Sequence, residues 1–287
     1  MKPCAFDYYR PQTRREAIDR LIESGDDARL VAGGQSLMAV LNMRLAQPRI
    51  LIDVGAIDEL RYIERRDDHL AIGAATTQAE LLEYAALADE LPLVAQALPW
   101  VGHFQTRNRG TVGGSIAHAD PSAELPLCLA TLGGEVVLET RRGKSRRVAG
   151  ADFFQGVLTT ARRPDELITE VRFPLKREGH AYRFREVAMR HGDFAIVALA
   201  ADIGESEVRL GVGGVADRPV VRTLSLEGDL DDALNHLAWS LGAQDDVHAS
   251  AAYRRHLVRE LGRRLIVEAP TFEQQAVEES ADARARR

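Results

Sequence analysis

The sequence predicts an α+β fold divided into more than one domain. The chain has 287 residues, and a typical domain of roughly 150 residues makes about two domains the first expectation. Residues 28–55 alternate strand and helix patterns, whereas residues beyond 174 show strand patterns followed by helical ones. The composition, 45% hydrophobic and 28% charged, is that of an ordinary globular protein and excludes a disordered chain.

The segment 28–55 has the pattern of a strand, a loop, a helix and a second strand. ARLVA and ILIDVG are short and apolar, and GGQS is a turn between the first of them and LMAVLNMRLA. Four-residue spacing places Leu37, Leu41 and Leu45 on one face of the predicted helix. The loop at 32–36 therefore opens a helix whose first amide groups have no acceptor inside the helix.

A second glycine-rich stretch, GTVGGSIAHADPSAELP, occupies residues 110–126 and precedes an apolar run and the strand pattern EVVLET. Asp120 and Pro121 have the pattern of a helix cap followed by proline at the first helical position. Pro126 leaves the start of this helix open. The stretch is thus predicted to open a helix as the first loop does.

Two further local patterns define elements of the middle region. Thr77 is followed three residues later by Glu80, a capping box that predicts an amphipathic helix. VVLETRRGKSRRV at 136–148 predicts a hairpin around Gly143, and we interpret the basic residues at its tip as solvated.

Beyond residue 174 the patterns predict a separate α+β domain with a three-stranded sheet. The predicted strands are AYRFREVAMR, FAIVALAADIG and VRLGVGGV, and the predicted helices are DDALNHLAWSLG and AAYRRHLVRELGRRLIVEA. Residues 270–287 are polar and charged with little periodicity, which predicts a mobile tail.

Charge and cysteine content exclude several classes of protein. The net charge of -6 argues against binding to nucleic acid or to anionic membranes. No apolar run approaches the ~18 residues of a membrane span, and the start of the chain lacks a signal-peptide pattern, so we expect a cytoplasmic protein. Cys4 and Cys128 are the two cysteines. A pair of iron–sulfur clusters needs about eight thiolates, so such clusters must lie on another chain. The histidines show no spacing typical of a metal site.

The two glycine-rich loops together favour a phosphate-binding site. A backbone without Cβ lets successive amide groups approach an anion closely. One AGGQS loop is equally well explained as an ordinary strand–helix turn, but two such loops could hold a dinucleotide pyrophosphate from both sides. Neither GxGxxG nor GxxxxGK[ST] occurs at these loops, which disfavours a Rossmann NAD site and a P-loop.

Four motifs follow one another along the chain: AGGQSL at 32–37, RNRGTVGGSIAHADPSAELP at 107–126, DELITEVRFP at 165–174 and RHGDFAIVA at 190–198. In this order they resemble the FAD-binding medium subunits of molybdenum hydroxylases, the group of carbon monoxide, nicotine and xanthine dehydrogenases. The resemblance implies a PCMH-type, vanillyl-alcohol-oxidase-like FAD-binding fold with subdomains at 1–57 and 58–173. It also implies a C-terminal domain at 174–269 like that of carbon monoxide dehydrogenase flavoproteins.

The resemblance also implies which residues bind FAD. Two groups of five would hold the pyrophosphate: Ala32, Gly33, Gly34, Gln35 and Ser36, and Thr111, Val112, Gly113, Gly114 and Ser115. His118, Asp120 and Glu124 would lie near the ribityl chain and ring, Leu167 would bring its backbone to the ring, and Tyr182 or Arg185 would reach it from the third domain. At Arg185 the sequence departs from members that have lysine at this position, so the resemblance implies a retained charge there but not the same contact geometry. Asp120 and Glu124 also have simpler explanations, as a helix cap and as a first-turn carboxylate.

The implied function is electron transfer inside a complex. A large subunit with a molybdenum cofactor would supply electrons to [2Fe-2S] clusters on a small subunit. These electrons would pass through FAD to a terminal acceptor, and the complex would be a dimer of heterotrimers. No catalytic side chain is expected in this chain. Two alternatives are a self-sufficient flavin oxidoreductase of related fold and an assembly module without flavin. The motifs leave open the substrate (carbon monoxide, an aldehyde, an N-heterocycle or a purine) and the acceptor (a quinone, a cytochrome, oxygen or NAD).

Overall fold

The computed structural model describes residues 2–268, which contain three larger β-sheets, a short β-ribbon and the helices that cover them. The strands are β1 Asp7–Tyr9, β2 Ala28–Val31, β3 Ile50–Asp53, β4 Ile63–Arg65, β5 His69–Gly73, β6 Glu135–Glu139, β7 Ser145–Ala149, β8 Phe154–Gly156, β9 Thr159–Thr160, β10 Leu167–Pro174, β11 Ala181–Ala188, β12 Ala195–Ile203, β13 Glu207–Gly213 and β14 Val220–Ser225. The helices are α1 Arg14–Ser24, α2 Leu37–Asn42, α3 Gln78–Leu82, α4 Leu87–Glu90, α5 Pro92–Ala97, α6 Phe104–Arg107, α7 Val112–His118, α8 Glu124–Leu132, α9 Gly150–Phe153, α10 Leu230–Ser240 and α11 Ala251–Val267.

The first sheet has the order β1-β3-β2, and all of its strands run parallel. Its strands and α1 bury a small apolar core that includes Ile18, Ile52 and Leu167. The predicted strand–loop–helix–strand unit is confirmed, but α2 is shorter than expected. It ends at Asn42, so Leu41 is buried whereas Leu45 lies beyond the helix and is 73% exposed.

The second sheet is antiparallel, with the order β4-β5-β10-β6-β7. Helices α5, α7 and α8 contribute to the large apolar core built on this sheet. The predicted capping box is confirmed: the hydroxyl of Thr77 accepts from the amide of Glu80, and the Glu80 carboxylate accepts from the amide of Thr77. The hairpin around Gly143 is confirmed as β6 and β7.

The third sheet has four strands rather than the three that the sequence patterns predicted. Antiparallel β11, β12 and β13 match the predicted meander, and β14 adds an edge strand beside β13. The sequence VVRTLS of β14 has three exposed and three partly buried residues and lacks the apolar alternation that identified its neighbours. Helices α10 and α11, which were predicted, pack with this sheet in a separate core.

One face of the third sheet packs against the large apolar core that is built on the second sheet. Tyr182 and Phe184 of β11 belong to the same core as α5 and α8, whereas Ala181 belongs to the core of α10 and α11. Helix α8 approaches β13 closely at Gly211, where a Cβ would lie 2.0 Å from the Thr131 hydroxyl oxygen. This packing holds the C-terminal half of α8 against β13. No helix within residues 2–268 combines the length and the apolar character needed to cross a bilayer. The predicted tail at 270–287 lies outside the described residues.

Candidate functional site

The two glycine-rich stretches meet at Gly33. A Cβ on this residue would lie 1.9 Å from the carbonyl oxygen of Arg109 and 2.8 Å from the α-carbon of Gly110. No real side chain tolerates such distances to backbone atoms, so the two stretches can be this close only because residue 33 is glycine. The sequence placed both stretches in one site, and the structure brings them into backbone contact.

The first stretch carries a run of amide groups without partners. The N–H groups of residues 33–37 donate no hydrogen bond to any group within residues 2–268. Gly34 has a left-handed φ of 71°, and such a conformation beside right-handed residues is typical of backbone anion-binding nests. Ser36 caps α2 without a side-chain hydrogen bond, and the side-chain amide of Gln35 donates to the Gly33 carbonyl at 3.0 Å. Unpartnered donors are thus concentrated in this loop.

The second stretch is helical and its amides are already paired. The N–H of Val112 donates to the Thr76 carbonyl at 2.9 Å, and that of Gly113 donates to the Ala74 carbonyl at 3.0 Å. Within the first turn of α7, the amides of Gly114 and Ser115 donate to the hydroxyl and carbonyl oxygens of Thr111, each at 3.0 Å. The expectation of a second open amide cradle therefore differs from the structure, in which Thr111 caps α7 and these amides anchor the helix.

Gly113 has a packing role that the sequence pattern did not reveal. A Cβ on it would lie 2.5 Å from the Cβ of Ala74. The residue is buried where α7 crosses the chain that follows β5. Since its amide donates to the same residue that a Cβ would strike, glycine is required here by packing and hydrogen bonding together.

The residues after α7 form a compact polar turn. The helix ends at Ala119, which has a left-handed φ of 53°. The Nε2 atom of His118 lies 4.0 Å from an oxygen of Asp120, whose other carboxylate oxygen accepts from the amide of Ser122 at 2.8 Å. Asp120 therefore caps a local turn. The predicted helix start at Asp120 and Pro121 was wrong: α8 begins at Glu124.

Glu124 is a buried carboxyl in the first turn of α8. Only 8% of the residue is exposed. Burial raises the pKa of Glu124 to about 7, with an opposing contribution from its own amide and a further increase from Asp120. A carboxyl with this pKa exchanges a proton near neutrality, so its charge depends on what lies beside it.

The three remaining predicted residues have different environments. Leu167 opens β10 and packs in the core of the first sheet. Tyr182 is buried against α5, and its hydroxyl accepts from the amide of Arg177 at 2.9 Å. Arg185 lies on the opposite face of β11, is exposed, and has its guanidinium 4.0 Å from the Glu268 carboxylate. Tyr182 and Arg185 therefore do not face the same side of the sheet.

Glu186 is a buried ionisable residue that the motif analysis missed. It follows Tyr182 and Phe184 on the inward face of β11 and is only 7% exposed. A signal was present in the sequence, since a charged residue occupies an inward position of an alternating strand pattern. Motif comparison overlooked it because it lies between the third and fourth motifs.

The comparisons with known proteins agree with this geometry. The family described as the FAD binding domain in molybdopterin dehydrogenase matches residues 4–176. The nicotine 6-hydroxylase medium subunit of Paenarthrobacter nicotinovorans is 38% identical over 283 residues, covering 94% of this chain and 99% of that one. The carbon monoxide dehydrogenase medium chain of Afipia carboxidovorans is 35% identical over 225 residues, covering 77% and 78%.

Solved structures show the same architecture. Reconstituted carbon monoxide dehydrogenase from Oligotropha carboxidovorans superimposes with a TM-score of 0.88 at 31% identity, over 96% of this chain and 100% of that one. Quinoline 2-oxidoreductase from Pseudomonas putida 86 gives a TM-score of 0.85 at 32% identity, over 94% and 98%. The family match, the full-length relatives and the shared fold lead to one conclusion: the chain belongs to the FAD-binding medium subunits of the molybdopterin dehydrogenases.

Proposed function

We propose that this chain holds FAD with the pyrophosphate against the first glycine loop. The observation that carries the proposal is the run of unpartnered amides at residues 33–37. Successive backbone N–H groups with a left-handed glycine among them suit a phosphate oxygen. Ala32 and Gln35 belong to the same loop, and the hydroxyl of Ser36 is not used by its own helix.

The second stretch would line the other side of the same pyrophosphate and would contribute hydroxyl groups as hydrogen-bond partners. Thr111 to Ser115 lie next to the first loop because of the contact between Gly33 and Arg109. The amides of Val112 to Ser115 hold α7 in place, so the contribution toward the phosphates would come from the hydroxyls of Thr111 and Ser115. Gly114 lacks a side chain that could obstruct the approach.

The ring of the bound flavin would lie toward the far end of α7. Seven residues at 1.5 Å each extend this helix by roughly 10 Å, which carries the chain from Thr111 to His118. That direction leads from the proposed phosphate position to His118, Asp120 and Glu124. These three residues would contact the ribityl chain and ring, with the backbone of Leu167 and the third-domain residues Tyr182 or Arg185 as further proposed contacts.

Bound FAD supplies redox chemistry, because its ring accepts two electrons and releases them one at a time. The protein residues described above bind and orient it. We propose that electrons pass from a molybdenum cofactor on a large subunit to [2Fe-2S] clusters on a small subunit. From these clusters they reach the FAD of this chain, and they leave to a terminal acceptor. The medium-chain names of the relatives support a multi-subunit complex, for which we propose a dimer of heterotrimers.

The test is reconstitution of the full chain with FAD and with its partner subunits. We expect the purified chain to take up FAD in a titration, and the complex to reduce that flavin when substrate is oxidised on the large subunit. The isolated flavin-loaded chain should stay oxidised in anaerobic mixtures with small substrates. Reduction without partners would support the self-sufficient oxidoreductase, and absence of FAD uptake by chain and complex would support the assembly module.

A further inference from the structure

Glu186 is a carboxyl without a partner inside the molecule. Both of its carboxyl oxygens are buried and make no hydrogen bond with any group in residues 2–268. An ionised carboxylate in such a place is costly unless it is paired. The position therefore favours a carboxyl that keeps its proton.

The strand register and the packing of α8 place the side of β11 that carries Glu186 toward the helix that carries Glu124. Glu186 pairs with Ala198 of β12, and Ala198 pairs with Gly213 of β13, so the three residues form one row across the sheet. The carbonyl oxygen of Pro121 accepts from the amide of Gly214 at 2.8 Å, which places the segment before α8 over the end of this row. A Cβ on Gly213 would lie 3.2 Å from the carbonyl oxygen of Pro121 and 3.3 Å from Cδ2 of Leu127, so this row packs against the start of α8, whose first turn carries Glu124.

The elements packed around this pair, α5, α8 and β12, carry few ionisable side chains near it. Helix α5, packed on β11, has no ionisable side chain; its Gln96 donates to the Tyr182 carbonyl at 2.9 Å. Helix α8 has Glu124 and Cys128, and the thiol of Cys128 is buried. On β12, Asp202 is paired with Arg177 and His180 at the far end of the strand.

Two further charged residues lie near Glu124. The charge of Asp120 raises the pKa of Glu124, and that of Arg107 lowers it. The guanidinium of Arg107 is occupied by the carbonyls of Val101 and Gly102, each at 3.0 Å. Burial, followed by the charge of Glu124, raises the pKa of Glu186 to about 8. The two carboxyls are thus coupled, with Glu124 losing its proton first.

We propose that Glu186 and Glu124 form an electrostatically coupled carboxyl pair between the third sheet and α8, in which Glu186 keeps its proton, and that Glu186, acting through Glu124, sets the charge facing the bound flavin. Glu186 is a positioning residue, because it interacts with the charge of Glu124 and Glu124 lies in the proposed cofactor site. The second half of the proposal rests on the proposed FAD function. The first half concerns this chain alone.

The first half is tested by infrared spectroscopy of the full chain without FAD, at neutral pH. We expect a carbonyl band of protonated carboxylic acid to which Glu186 and Glu124 both contribute. Glu186→Gln should remove the Glu186 component, whereas the control Glu205→Gln, which changes an exposed glutamate, should leave the whole band unchanged. In Glu124→Gln, the band of Glu186 should persist to neutrality and titrate at lower pH than in the wild type, because its coupled charge is gone. A band that is unchanged in Glu186→Gln, or absent from the wild type, would overturn the proposal.

The second half is tested by potentiometric titration of the FAD-loaded protein across pH 6–9. We expect the pH profile of the flavin midpoint potential to lose one break in Glu186→Gln and to keep it in Glu205→Gln, since only the former removes the buried titrating carboxyl. Identical profiles would refute coupling to the flavin even if the infrared band behaves as expected. If no FAD binds, the proposed function and the coupling to the flavin fail together, while the infrared result still decides whether Glu186 is protonated and coupled to Glu124.

Discussion

The backbone of Gly33 lies directly against the carbonyl oxygen of Arg109, with room for a hydrogen atom and no more: a Cβ would come within 1.9 Å of that oxygen. This contact joins a loop from the first sheet to the segment that enters α7. It holds the unpartnered amides of residues 33–37 beside the helix capped by Thr111. The site geometry depends on this one close approach.

Gly33→Ala should separate the two stretches. We expect a loss of more than about 2 kcal/mol in the free energy of unfolding, since neither backbone can move aside without breaking the strand or the helix cap. FAD affinity should fall at the same time, because the loop amides would shift relative to α7. Denaturant titration and flavin content measure both effects. Gly228→Ala is the matched control, since nothing lies within 4 Å of the added Cβ.

Thr111→Val should weaken α7 from its first turn. The substitution keeps the side-chain shape and removes the oxygen that accepts from the amide of Gly114. Loss of such a cap costs about 1–2 kcal/mol, which we expect as a lower midpoint in chemical denaturation. Thr111→Ser keeps the oxygen and should retain most of the stability. A larger loss in Thr111→Ser than in Thr111→Val would show that the methyl group, rather than the cap, matters.

Glu166→Gln should destabilise the segment that precedes Leu167. The Glu166 carboxylate is buried and accepts from the Nε and Nη2 atoms of Arg146 at 2.6 and 2.8 Å, and from the Arg163 amide at 2.7 Å. A loss of about 2–3 kcal/mol is expected, at the low end for breaking a buried pair because Arg146 is partly exposed. Glu135→Gln, which breaks an exposed pair with Arg147, should cost less than about 1 kcal/mol.

The same pair predicts the direction of an acid effect. Burial tends to raise the pKa of Glu166, but the hydrogen bonds from Arg146 and from the Arg163 amide lower it overall. The unfolded chain therefore takes up a proton at higher pH than the folded one, so this contribution to stability is present at neutral pH and is lost on acidification. The stability difference between wild type and Glu166→Gln should shrink below about pH 4.5. A difference that is constant with pH would contradict the ionised pair.

Glu186 predicts the opposite sign. Its folded pKa of about 8 lies above the ordinary carboxyl value of 4.5, so the folded protein keeps a proton that the unfolded chain has lost. Wild-type stability should fall as pH rises from about 4.5 to 8, whereas Glu186→Gln has no such proton. The free energy of unfolding of the variant should therefore rise relative to that of the wild type with increasing pH, by up to about 5 kcal/mol at pH 9. Glu205→Gln should follow the wild-type curve throughout.

Local patterns predicted much of the fold, and tertiary contacts account for the differences. The capping box of Thr77 and the hairpin around Gly143 depend on neighbouring residues, and both are confirmed. Leu45 continues the helical spacing, yet α2 ends at Asn42, because spacing does not define a helix end. The strand β14 pairs only along one edge, so no apolar alternation marked it.

The candidate site was predicted only in part for a related reason. Glycine patterns identified both stretches but could not distinguish an open amide loop from a helix whose amides are paired. That distinction depends on acceptors supplied by Ala74 and Thr76, which lie far away in sequence. The burial of Glu186 likewise depends on the docking of α8 against the third sheet, which no local pattern contains.

The most direct measurement is an FAD titration of the full chain carrying Ser36→Asp, with the flavin followed by fluorescence. Aspartate is a good helix cap, so the fold should persist while its carboxylate repels a pyrophosphate at the first loop. The account predicts at least a tenfold weaker affinity, about 1.4 kcal/mol, and unchanged affinity in the control Ser250→Asp, at the cap of α11. Equal FAD affinity in Ser36→Asp and wild type would contradict the placement of the pyrophosphate at residues 33–37.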